Sequence, residues 1–322
     1  MANMTVSRLG QVNAGGATDA LFMKLFAGEV LTNFEKQTVL LDKHWVRTIQ
    51  NGKSASFPII GGIAAAYHTP GTQIVGTAVN HAEKVIPVDG LLLSQAFIAN
   101  IDEAMNHYDV RGQYSKEMGT TLAQQFDANV IQEGILGARS AALISGGNGG
   151  SQITNAKFKY ASNELGTVGT AANLAEKSAA LKEALFKAAE ILDQKNAPKE
   201  RFVTLRPAEV YALVQDTTVL NKDWGGVGAM SSGTCPEVAG IKILPSNNVP
   251  YTDLSGATYH GVNAAKTVGL VFCPEALGTV KLMDMSLQSE FLIEYQGTLM
   301  VARYAIGHGF LRPDALVELL VA

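Results

Sequence analysis

Apolar and polar positions change period several times along this chain, and the changes mark its elements. Leu21, Phe22, Leu25 and Phe26, followed by Val30 and Phe34, recur at steps of three and four and predict a short amphipathic helical stretch interrupted near Gly28. Residues 1–18 before it are polar, small and aperiodic, the composition of an arm that orders only against another surface. Residues 45–49 and 55–60 are β-like on either side of an Asn51-Gly52 turn signal, and strand character resumes over 83–88 before Asp89-Gly90. Together these segments predict a long two-stranded excursion. A ribbon of that kind is not stable alone in water and has to lie on another surface.

Tyr114, Met118, Leu122, Phe126 and Val130 then fall at intervals of four and predict a long helix over 111–144, weakened locally by Gly119, Gly134 and Gly137. At 1.5 Å per residue such a helix spans roughly 50 Å. It yields to Ser145-Gly-Gly-Asn-Gly-Gly-Ser151, a boundary by composition. A second helix is predicted over 173–195, opened by Asn173 with Glu176 three residues on and closed before Asn196-Ala-Pro198; Leu174, Leu181, Leu185 and Leu192 line one face. A strand follows at 202–205, then a helix begun by Pro207 with Val210, Leu213 and Val214 inward, then strands at 241–244 and 268–272. This alternation describes an α/β or α+β unit of about 120 residues. After residues 279–283 the last forty are β-rich, notably 297–306 and 316–321.

Composition sharpens the picture. The chain has 322 residues with 25 Lys+Arg against 29 Asp+Glu, a net charge of −4 that excludes a strongly basic nucleic-acid clamp. Its length accommodates about two domains. Charged residues make up only 17%, against about 25% in typical soluble proteins, and none occurs between residues 54 and 82. Surfaces destined to be covered by another subunit are depleted of charge in this way. Cys235 and Cys273, each followed by Pro, form no disulfide framework and fit a reducing compartment. The first residues lack a signal-peptide pattern, and Pro58, His68, Pro70, Gln73, Asn80 and four glycines break the uncharged stretch as a membrane span, so no membrane is expected as a partner.

Catalytic motifs fail one requirement each. Gly52-Lys53-Ser54 ends like a phosphate-binding loop, but Arg47 stands where that loop needs its first glycine. Gly307-His308-Gly309 is followed by Arg312 where a dinucleotide fingerprint needs a small residue. His44, His68, His81, His107, His260 and His308 are scattered without metal-ligand spacing. Asp102, Glu103, His107 and Asp109 form the densest titratable cluster, but they directly precede the long helix, where acidic residues favour the positive end of its dipole. No catalytic residue, cofactor or metal is expected.

Several blocks together carry a resemblance. Gly28-Glu-Val-Leu-Thr-Asn-Phe34, Gly52-Lys-Ser-Ala-Ser-Phe-Pro58, His81-Ala-Glu-Lys-Val-Ile86 and Asp89-Gly-Leu-Leu92 are followed by the most particular stretch, Ile101-Asp-Glu-Ala-Met-Asn-His-Tyr-Asp-Val-Arg111. Gly278-Thr-Val-Lys-Leu282 and Tyr304-Ala-Ile-Gly-His-Gly-Phe-Leu-Arg-Pro313 complete the set. In these blocks the chain resembles the major capsid proteins of short-tailed phages of the T-seven type, densely over 19–140 and 268–315 and thinly between.

The resemblance implies the α+β Hong Kong 97-like shell fold. It implies an N-terminal arm (1–45), an extended hairpin loop (46–92) and a peripheral domain (93–164) containing the spine helix 111–144. An axial domain (165–278) and a return to the peripheral domain (279–322) would follow. Leu21, Phe22, Leu25 and Phe26 on the arm, with Lys53, Phe57, Tyr67, His68 and Ile74 on the loop, are the expected contacts between subunits. The implied partners are further copies in pentamers and hexamers, a scaffolding protein, a portal and confined double-stranded DNA. The implied setting is a virion capsid assembled in a bacterial cytoplasm. An encapsulin-like shell of the same fold and an α/β enzyme are the alternatives.

Overall fold

A computed structural model describes residues 38–63, 65, 67–74, 76, 78–105, 111–159, 171–216, 233 and 235–322. The apolar arm positions Leu21, Phe22, Leu25 and Phe26, and the cluster members His107 and Asp109, lie outside the described residues. The strands are β1 (Trp45–Thr48), β2 (Ser54–Ile60), β3 (His81–Pro87), β4 (Leu92–Ala99), β5 (Ser151–Asn155), β6 (Phe202–Leu205), β7 (Glu237–Val238), β8 (Ile241–Pro245), β9 (Thr267–Phe272), β10 (Leu277–Leu292), β11 (Gly297–Phe310) and β12 (Leu316–Val321). The helices are α1 (Asn100–Met105), α2 (Arg111–Ala138), α3 (Ala171–Gln194) and α4 (Pro207–Val214). This mixture is α+β, and the chain divides into two compact units.

The larger unit is built on a six-stranded sheet in the order β5-β12-β9-β6-β8-β7. Its central strands β6 and β9 are buried at every position, which explains their unbroken apolar runs: strands covered on both faces do not alternate. Helix α3 buries Leu181, Leu185 and Leu192, as its helical period predicts, together with Ala188; Leu174, expected on the same face, is only half-buried. It stops where expected, for a specific reason. Asn196 turns into the left-handed region at φ 52°, and the Asn196 and Ala197 amides fold back onto the Asp193 and Leu192 carbonyls. That pattern satisfies the last carbonyls of the helix.

The long helix α2 ends at Ala138 and not at residue 144. Ser140 N–H donates to the Gly137 carbonyl at 3.1 Å, tightening the last turn, and Gly150 N–H donates to the Ser140 carbonyl at 2.9 Å. The glycine-rich return therefore occupies the acceptors that another helical turn would use. Gly137, expected to weaken the helix, instead gives room: a Cβ there would collide with the side chains of Phe310 and Leu316.

The two-stranded excursion is shorter than the sequence pattern predicts. Only β2 and β3 pair with each other, in antiparallel register from Ser54↔Pro87 to Ile60↔His81. Strand β1 belongs elsewhere, pairing in parallel with the start of β10 from Trp45↔Gly278 to Thr48↔Lys281. Strand β5, polar at every position of Ser-Gln-Ile-Thr-Asn except Ile153, pairs in parallel with β12, an edge position that does not need an apolar run.

In the smaller unit, β4 lies antiparallel to β11 from Gly297↔Ala99 to Tyr304↔Leu92. Phe97 meets Tyr295 edge-on with ring centroids 6.5 Å apart, and the Tyr304 hydroxyl donates to the Leu122 carbonyl at 3.3 Å. Helix α1 leaves β4 at Asn100, whose N–H donates to the Gln296 carbonyl at 2.9 Å.

Gly307 on β11 passes so close to the end of β3 that a Cβ there would overlap the Pro87 carbonyl. The obstacle is backbone, which cannot rotate away. Gly307→Ala is expected to destabilise the subunit by about 3 kcal/mol, the upper part of the range for overpacking. A urea melt of the unassembled chain measures this, and an unchanged midpoint would show that β3 yields at its end.

Candidate assembly surface

The β2–β3 ribbon is anchored at one end and bare at the other. Ala55, Phe57 and Ile86 form a buried cluster with Val280 and Leu311, flanked by Ile49 and Val88. The Val88 amide donates to the Lys53 carbonyl at 2.8 Å. Arg47 donates to the Ser56 carbonyl at 2.9 Å and stands over the Phe57 ring. The Lys84 ammonium lies 3.9 Å from the centre of the Phe310 ring, a cation–π contact. Toward the far end, the inward positions Ile59 and Ala82 are only half-buried, and beyond the strands the described residues of 62–78 are all exposed. There the Gly61 amide donates to the Asn80 carbonyl and closes the 61–80 segment.

That segment carries large apolar side chains in water. Ile60 is 68% exposed, Ile63 76%, Ile74 80% and Tyr67 106%. Together with the absence of charge across 54–82, this is an apolar surface without cover in the single subunit, the mark of an interaction site. Of the loop residues singled out from sequence, Lys53, Tyr67, His68 and Ile74 are exposed. Phe57 differs from them: it is 9% exposed and packs into its own subunit, because alternation along β2 turns it to the anchored face. Ile60 and Ile63 were legible as members of the uncharged stretch but were not singled out. The smaller unit also exposes Leu93, Ile101, Met105 and Ile293, positions that no sequence pattern marked.

Beneath the ribbon's root lies a buried histidine relay. His44 Nδ1 donates to the Leu40 carbonyl at 2.6 Å, so its Nε2 accepts from the Thr279 hydroxyl, also at 2.6 Å. Thr279 Oγ1 in turn accepts from His308 Nδ1 at 3.0 Å. Each ring is used as a neutral imidazole. His260, whose ring centre is 5.5 Å from that of His308, donates to the Glu133 carboxylate at 2.8 Å. Burial lowers the His44 pKa. Burial, and then the proximity of His260 and His44, pushes that of His308 well below its ordinary 6.5.

The sign of the pH effect follows. Between the lowered folded pKa and 6.5, the unfolded chain binds protons that the folded chain refuses. Stability is therefore lost as pH falls below about 6.5, by up to about 2 kcal/mol from His308 at pH 5. Comparing melts of the wild type and His308→Gln between pH 7 and pH 5 measures this. The variant is expected to show the shallower acid slope, and equal slopes would remove His308 as its source.

Among the described residues, no group of three or more His, Cys, Asp or Glu is placed to hold a metal ion. The two cysteines are buried, and burial pushes the Cys273 thiol up to about 11, away from the reactive thiolate. No described helix is long and apolar enough to cross a membrane.

Solved structures of phage capsids share this fold. The chain overlays the capsid protein of cyanophage P-SCSP1u with a TM-score of 0.79 at 46% identity, covering 100% of this chain and 99% of that one. It overlays a subunit of the bacteriophage PhiM1 mature capsid with a TM-score of 0.75 at 17% identity, covering 96% and 95%, a likeness of fold. The fold is Hong Kong 97-like. In sequence the chain is 32% identical to the major capsid protein of Escherichia phage T7 over 98% of its own length and 97% of that protein. The Gp10A-like major capsid protein model matches residues 56–320, and the chain belongs to that family of phage major capsid proteins.

Proposed function

We propose that the chain closes into the icosahedral shell of a short-tailed phage head, first as a procapsid and then as the mature container of the double-stranded DNA genome. The observation that carries this reading is the apolar tip of the β2–β3 ribbon, exposed at Ile60, Ile63, Tyr67 and Ile74 while its root is anchored, in a member of a major capsid protein family. Lys53, Tyr67, His68 and Ile74, with Leu21, Phe22, Leu25 and Phe26 from the arm, contact neighbouring copies within pentamers and hexamers. Many weak contacts repeated around closed rings then supply the strength of the shell.

On this reading residues 1–45 are the arm, 46–92 the extended loop, 93–164 and 279–322 the peripheral domain, and 165–278 the axial domain. The role is structural, without turnover. A net charge of −4 suits a wall that confines DNA and does not grip its phosphates, since a tight grip needs many Lys and Arg. Filling through a portal and ordered closure on a scaffolding protein, in the host cytoplasm, complete the proposal.

Light scattering and electron microscopy of the purified chain, alone and co-expressed with a scaffolding protein, test it. Closed particles of uniform size are expected. A persistent monodisperse species near 34 kDa under both conditions would overturn the reading.

A further inference from the structure

The point at which residues 1–37 join the described fold is held by an unusual knot. On α2, Asp127 is completely buried. Its carboxylate accepts from the Val39 amide at 3.0 Å, the Leu40 amide at 3.3 Å and the Asn248 side-chain amide at 3.2 Å. The Leu40 side chain is buried beside it, while the Leu40 carbonyl accepts from both the Lys43 amide and the His44 ring. His44 is itself tied to Thr279 on β10. A stretch of six residues is thus pinned to α2, to the loop after β8 and to β10 before the chain enters β1.

We propose that Asp127 is the positioning residue for the amino-terminal arm: by clamping Val39 and Leu40 it sets the place and direction from which residues 1–37 reach neighbouring subunits. A buried carboxylate is an expensive way to secure a loop, since burial opposes its charge and raises its pKa. Apolar packing of Leu40 alone would hold the segment to the core. What the carboxylate adds is direction, because two successive amides accepted by one carboxylate fix the orientation of the peptide planes. Arm contacts repeated across a shell gain only if every arm departs alike, as ordering costs otherwise consume the binding energy.

This inference rests on the shell reading, and the experiment separates the two. In the full chain, Asp127→Asn keeps the shape but replaces one acceptor by a donor facing an amide. Hydrogen exchange of the Val39 and Leu40 amides in unassembled subunits is expected to accelerate at least tenfold. The threshold concentration for particle formation is expected to rise at least tenfold. In a background with the arm disabled by Leu21→Ser, Phe22→Ser, Leu25→Ser and Phe26→Ser, the same substitution is expected to change that threshold less than twofold, since residues acting through one element are non-additive. A purely structural role would shift the threshold equally in both backgrounds, and that result would overturn the proposal. An arm-disabled chain that assembles as well as wild type would also overturn it. If Asp127→Asn fails to fold, Asn248→Ala, which removes only one partner of the carboxylate, runs the same cycle with a smaller expected change. Wild-type chain that forms no particles would instead overturn the shell reading, while the exchange of Val39 and Leu40 would still report on the clamp.

Discussion

Glu318→Ala is expected to destabilise the subunit by about 3–5 kcal/mol, the cost of dismantling an ion pair whose carboxylate is fully buried and fully hydrogen-bonded while its arginine stays partly exposed. The carboxylate sits completely buried in β12 and accepts from Arg139 Nη2 at 2.7 Å and Arg139 Nε at 2.8 Å. It also accepts from the Gln152 amide at 3.0 Å and the Thr267 hydroxyl at 2.7 Å. Arg139 reaches on to the Asn263 carbonyl. One side chain therefore joins the end of α2, edge strand β5, β9 and β12. Removing it leaves the buried Thr267 hydroxyl without its acceptor and leaves the Arg139 guanidinium, raised in pKa chiefly by this hydrogen bond, without its counter-charge. At about 2.1 cal/mol/K per residue, a chain of 322 residues shifts by roughly 1.5 °C per kcal/mol, so the melting temperature should fall by about 4–7 °C. The exposed pair Lys187–Glu190 is the control: Glu190→Gln is expected to cost under about 0.5 kcal/mol, because water screens such pairs. A Glu318→Ala melt as mild as the control would mean that the four donors find other acceptors.

The second large effect concerns assembly and not folding. Tyr67→Asp combined with Ile74→Asp is expected to abolish particle formation at concentrations where wild type assembles. The melting temperature of the unassembled subunit should stay within about 2 °C, since substitutions of exposed residues rarely exceed about 0.5 kcal/mol. Both side chains stand in water in the single subunit, so nothing is lost there by replacing them. In a covered interface, burying one such side chain contributes about 1.5–3 kcal/mol, and the loss recurs at every copy around the shell. Light scattering reads the first outcome and a thermal melt the second. Normal particles from this variant would show that the ribbon tip does not carry contacts between subunits.

The contrast between Glu318 and Tyr67 also shows what a sequence can reveal. Tyr67 stood out because twenty-nine consecutive residues, 54–82, lack charge, a local property that needs no partner to be seen. Phe57, in the same stretch, faces its own core; alternation along β2 assigns it a face but does not say which face is covered. Asp127 sits between the stripe residues Phe126 and Val130 of α2 and reads as an ordinary solvated helix position. Only the arrival of Val39, Leu40 and Asn248 from other parts of the chain makes it a clamp.

Periodicity was enough for α3, whose buried positions Leu181, Leu185, Ala188 and Leu192 repeat at helical spacing and whose end is written in Asn196 and Pro198. Unbroken apolar runs were enough for β6 and β9. These features depend on residues within a few positions of one another, where backbone geometry links sequence to structure directly. Strand partnership does not: β1 finds β10 more than two hundred residues away, and polar β5 becomes a strand only because β12 offers an edge. The sequence by itself determined the period of α3, the apolar runs of β6 and β9, the uncharged stretch and the family resemblance. The tertiary structure decided which strand meets which, that α2 stops at Ala138, and that Asp127 and Glu318 are buried acceptors, because a hydrogen-bonding group acquires its role from donors that distant segments bring to it.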